Sequence, residues 1–101
     1  MSTHGNAKKN PKDHHLYAIY DSEENDVFKY GISDKPIKKD GYSKRMYEQT
    51  DFLNRAVGWF RYFAEVLIDK IAGRAKAREI EDEYIEAYKK KHGRNPRGNT
   101  N

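Results

Sequence analysis

Apolar residues fall in short blocks separated by polar turns. Leu16-Tyr17-Ala18-Ile19-Tyr20 is a β-prone run, and Val27-Phe28-Lys29-Tyr30-Gly31-Ile32-Ser33 is a second. The polar cluster Asp21 to Asp26 lies between them, so the pair predicts a hairpin. Residues 34–42 hold Pro36 and Gly41 among charges and read as a loop. Ser43 is placed to cap a helix running through Lys44-Arg45-Met46-Tyr47-Glu48 towards Arg55, with Met46 and Leu53 two turns apart on one side. Val57 to Leu67 is rich in Trp, Phe, Tyr and Val, with Arg61 and Glu65 interleaved, and predicts a third strand, the most buried one. A long helix is expected from about Asp69 to Lys91. It contains no Pro and ends at Gly93, with Pro96 just beyond. The order β-β-α-β-α predicts an α/β (α+β) fold: a small three-stranded, mostly antiparallel sheet flanked by helices. There is no internal repeat.

At 101 residues the chain holds one folded domain. Residues 1–12 are polar after Met1 and read as a disordered leader or linker, leaving 13–101 as the body. With 13% aromatic residues the body is too rich in rings to be disordered. No run approaches the length of a membrane-spanning helix, and no secretory signal is expected. There is no Cys, which excludes a disulfide framework, a thiolate zinc site and Cys nucleophilic chemistry. No phosphate-cradling Gly loop, Ser nucleophile elbow or zinc spacing is present, and the histidines show no metal-ligand spacing. The net charge of +4 is unevenly distributed. The two ends carry Lys8, Lys9, Lys12 and then Lys89, Lys90, Lys91, Arg94, Arg97 with no acid, while the body between them is net acidic. Basic ends on such a body fit a polyanion partner, and equally a solubilising tail.

On a wheel at about 100° per residue, Ala77, Ile80, Tyr84, Ala87 and Tyr88 form an apolar stripe with Ile85 at its edge. Glu79, Asp82, Glu83 and Glu86 take the opposite side, but Glu81 falls within the stripe. A carboxylate facing a core is costly unless it is paired or holds a metal. The residue is therefore either one half of an ion pair, with Arg45 or Arg61 as partner, or a metal ligand or acid at the floor of a cleft.

These pieces resemble the GIY-YIG nucleases over roughly residues 14–99. Leu16-Tyr17 followed by Ala18-Ile19 is similar to the first motif, with His15 where the family has Gly. Lys29-Tyr30-Gly31 is similar to the second, with Lys29 where the family has Tyr. Arg45 matches the helix arginine, and Gln49 stands where a His is frequent. Ile80-Glu81-Asp82-Glu83-Tyr84-Ile85 matches the segment carrying the metal-binding Glu, and Asn99 matches a late Asn. The polar leader, Cys-free body and basic end also look like the C-terminal toxin domain of a bacterial polymorphic toxin.

The resemblance implies a metal-dependent endonuclease, with DNA the expected substrate. A ribonuclease on the same scaffold and a non-catalytic nucleic-acid-binding module are the alternatives. Tyr17 would orient or deprotonate the attacking water. Arg45 would contact the scissile phosphate, and Glu81 would hold Mg²⁺ or Mn²⁺. Lys29 would supply a cation or act on a water, Asn99 would orient a neighbour, and Lys89, Lys90, Lys91, Arg94 and Arg97 would contact the nucleic-acid backbone. A cognate immunity protein is the expected partner. Delivery would be from the producing bacterium, as part of a larger secreted effector, into a target-cell cytoplasm.

Overall fold

The computed structural model describes residues 12–99. The leader expected over 1–12 falls outside them except for Lys12. Strand β1 (Asp13–Asp21) and strand β2 (Asp26–Ser33) form the expected hairpin. Helix α1 (Lys44–Val57), strand β3 (Tyr62–Ala72) and helix α2 (Arg74–His92) follow. The sheet order is β2-β1-β3 with both pairings antiparallel, giving the α+β architecture expected.

The central strand carries the core. Leu16, Tyr17, Ala18 and Ile19 are fully buried, and burying a Leu or Ile stabilises by roughly 1.5–3 kcal/mol. Strand alternation sends these side chains to opposite faces. Tyr17 and Ile19 pack with Met46, Tyr62 and Ala64 under α1, and Leu53 joins them. Leu16 packs with Ile32, Ile71 and Ala77 under α2, where Ile80 and Tyr84 lean in. One strand thus feeds two cores, one per helix.

Three boundaries differ from expectation, each for a physical reason. Val57 closes α1, because Gly58 takes the left-handed conformation (φ 83°) and its N–H caps Asn54. Trp59 and Phe60 therefore lie in a turn, and β3 starts at Tyr62. That strand continues through Asp69 to Ala72, so α2 begins at Arg74 rather than near Asp69. Finally, β3 is an edge strand, and alternate residues Phe63 and Glu65 face solvent; the most buried strand is β1. His14 and His15, just ahead of the apolar run that starts at Leu16, lie buried inside β1.

Candidate functional site

Tyr17 and Gly31 are cross-strand partners on β1 and β2. A side chain at residue 31 would overlap the Tyr17 ring at Cζ and the hydroxyl, so the glycine is what lets the phenol lie across β2. The Tyr17 hydroxyl donates to Gln49 Oε1 at 2.5 Å, from one turn along α1 after Arg45. Burial raises the Tyr17 pKa, the adjacent Arg45 guanidinium lowers it, and Glu81 raises it slightly. Two residues before Tyr17, the buried His15 ring meets the Ser43 hydroxyl at 2.9 Å. Ser43 holds the N-cap position of α1 with extended backbone, and its hydroxyl is spent on His15. This contact ties the start of α1 to the central strand.

The phenol opens into a cleft of about 550 Å³, within the range of ligand sites. Its walls bring together Tyr17, Lys29, Arg45 and Glu81, from β1, β2, α1 and α2. Asn99 is not among them. Lys35, Lys44, Arg74 and Arg78 add four cations, against the acids Asp34, Glu48 and Glu81. Lys44 and Arg45 open α1, and Arg74 opens α2; neither helix has an acid in its first turn. Cations at a helix N-terminus oppose the helix dipole. Two such ends on one cleft cost the helices stability and gather positive charge on its walls. Lys44, Arg74 and Arg78 were not marked by the sequence, since their role depends on where each helix starts. Burial and the Arg45 charge lower the Lys29 pKa, and Glu81 partly offsets this.

Glu81 is largely shielded, its side chain 16% exposed. Arg61, one expected partner, is committed to Asp21, and Arg45 forms no salt bridge among the described residues. The closest cation to Glu81 is Arg78, one turn back on α2, at a loose 3.7 Å. Burial pushes the Glu81 pKa up, with Arg78 and then Lys29 and Arg74 pulling against it.

The C-terminal tail runs beside the cleft along the open edge of β2. Gly98 N–H donates to Phe28 carbonyl at 2.7 Å. The Asn99 side chain accepts from Tyr30 N–H at 2.7 Å and donates to Tyr30 carbonyl at 2.9 Å. Asn99 thus orients the β2 backbone next to Lys29. Arg97 reaches Asp21 at 2.7 Å, and Arg94 reaches Asp26 at 3.1 Å. Lys89, Lys90 and Lys91 are exposed on the last turn of α2.

A family model described as URI fold toxin 2 matches residues 7–93, most of the chain. Neither the curated proteins nor the solved structures give a significant match. With a family model spanning the hairpin, both helices and every cleft residue, the chain belongs to the URI fold toxin 2 family and is a toxin domain.

Proposed function

We propose that this toxin domain is a metal-dependent endonuclease of the GIY-YIG type, acting on DNA. The supporting observation is the cleft in which Tyr17, Lys29, Arg45 and Glu81 meet between two base-rich helix N-termini. A phosphodiester enters such a cleft as an anion among fixed donors, whose preorganisation favours the charge that develops as the bond breaks. Arg45 offers forked donors to two phosphoryl oxygens. The Tyr17 proton is held by Gln49, so its oxygen lone pairs face the cleft and can accept from and orient an attacking water. Lys29 and Lys44 add charge to the wall. Lys89, Lys90 and Lys91 would contact backbone phosphates further along, together with the exposed sides of Arg94 and Arg97.

Among the described residues no three His, Asp or Glu side chains stand together as a metal cluster. The donor set nevertheless fits Mg²⁺ or Mn²⁺, since Mg²⁺ is held by one or two carboxylates, keeps most of its waters and takes substrate phosphate as a further ligand. Glu81 would hold it; when bound, the ion would neutralise phosphoryl charge and stabilise the leaving oxygen. A cognate immunity protein and delivery within a secreted effector follow from the toxin reading. No helix among the described residues is long and apolar enough to cross a membrane.

The test is cleavage of plasmid DNA beside total RNA with and without added Mg²⁺ or Mn²⁺. Metal-dependent nicking of the plasmid supports the reading. Degradation of the RNA alone moves the activity to a ribonuclease, and retention of both without cleavage leaves a binder.

A further inference from the structure

A second recess opens on the α2 face of the sheet, with a volume of about 620 Å³ and no residue in common with the cleft. Its walls are rings. Tyr20 and Phe63, cross-strand partners on β1 and β3, stack with centroids 5.1 Å apart. Tyr30 and Tyr84 meet edge to face at 5.4 Å. Tyr88 stacks on His92 at 4.1 Å and closes the far end. Phe63 leaves 48% of its surface exposed, so its ring is open to a ligand in the recess.

The polar groups are equally defined. Asp26 accepts from the Tyr88 hydroxyl, from Arg94 and from the Val27 N–H, which leaves about one of a carboxylate's roughly four acceptor positions. Arg94 cancels its charge, and Asp21 at the same end is cancelled by Arg61 and Arg97. Lys91 stands at the rim with Lys90 beside it. Aromatic faces, one acceptor and a rim cation match the parts of one unpaired nucleotide: base, exocyclic amine and phosphate.

We infer that this recess is a binding site for an unpaired nucleobase of the substrate strand, a site that rests on the nucleic-acid reading of the cleft but is separate from it. The base lies against Tyr20 and Phe63 and an amino group donates to Asp26. The flanking phosphate meets Lys91. Stacking of this kind tolerates any base, because each has a π-face, and each base also carries an N–H that can donate to Asp26. The two sites are linked by α2. Glu81 and Tyr88 are seven residues apart, about 10 Å along the axis, which puts the recess within a few nucleotides of the cleft. The domain would therefore act best where its substrate has a single-stranded or frayed segment.

The experiment is an amide NMR titration of the intact domain with two separate probes, adenosine and inorganic phosphate. Adenosine is expected to move the resonances of Tyr20, Asp26, Phe63 and Tyr88. Phosphate is expected to move those of Lys44, Arg45 and Arg74. A Phe63→Thr variant keeps the strand and should weaken adenosine binding by about tenfold, leaving the phosphate titration unchanged. In cleavage assays it should raise KM on a single-stranded oligonucleotide with little change in kcat. Adenosine shifts confined to the cleft, or none at all, overturn the inference. A lost phosphate response with the adenosine response intact instead counts against the nuclease reading alone.

Discussion

Two shielded carboxylates, Asp21 and Glu81, teach opposite lessons. Asp21 is fully buried at the end of β1. It accepts from Arg61 Nε and Nη2, from Arg97 Nη2, and from the backbone N–H groups of Glu23 and Glu24. These donors hold its pKa well below the usual carboxylate range. Glu81 is shielded with one loose cation at 3.7 Å, and burial pushes its pKa up. A buried charge with every lone pair satisfied is part of the architecture. One left poorly satisfied in a cleft, as Glu81 is, is a candidate for function and not a clamp of the fold.

The contrast breaks most visibly at Asp21. Asp21→Asn leaves Arg61 and Arg97 facing a neutral amide and releases the turn onto which the tail is tied. A loss of about 3–5 kcal/mol in urea unfolding is expected. A variant as stable as the parent would mean that the tail clamp contributes nothing. Next in size is Asn99→Ala, which removes both bonds to Tyr30. Net losses of about 0.5–1.5 kcal/mol per hydrogen bond are typical, and hydrogen exchange at the Tyr30 amide should speed up. Unchanged exchange there would detach the tail from β2.

The pH dependence sharpens the same comparison with a smaller effect. Asp21 has a lowered folded pKa, so its contribution is complete above its ordinary value of 3.8 and is lost as the pH falls towards the folded value. Glu81 has a raised folded pKa. Its contribution is present below its ordinary value of 4.5 and is lost as pH rises through the folded value. The stability of Glu81→Gln relative to the parent should therefore grow as pH is raised above 4.5. Thermal melts at a series of pH values measure it, and a gap that shrinks with pH would invert the assignment.

How much of this was legible in the sequence differs between the two carboxylates. Glu81 stood out because a helix repeats every 3.6 residues, so an acid on the apolar stripe is visible without a structure. Asp21 did not, because it sits in a polar cluster that reads as a turn, and its cations lie 40 and 76 residues away. The same locality explains the strand boundaries. Trp59 and Phe60 read as strand core by composition, but Gly58 caps α1 and leaves them in an exposed turn, Phe60 at 91%. In the cleft, Tyr17 and Arg45 were marked by motif. Lys44, Arg74 and Arg78 were not, because a basic residue in an exposed first turn has no pattern of its own. Gln49 was noticed as a departure from a family pattern; its bond to the Tyr17 hydroxyl needed the fold. Arg94 and Arg97 read as free charges of a basic end, whereas Asp26 and Asp21 hold them.

The most direct measurement is the paired assay of Glu81→Gln against Glu83→Gln, cleavage and thermal melt on the same preparations. Glu83 lies exposed on the outer side of α2 and serves as the matched control. With Glu81 an unsatisfied acid poised in the cleft, Glu81→Gln melts at or above the parent temperature, and cleavage falls by orders of magnitude. Glu83→Gln changes neither. A Glu81→Gln protein that melts well below the parent, or that cuts with undiminished metal dependence, contradicts the catalytic account and returns Glu81 to a structural pairing with Arg78.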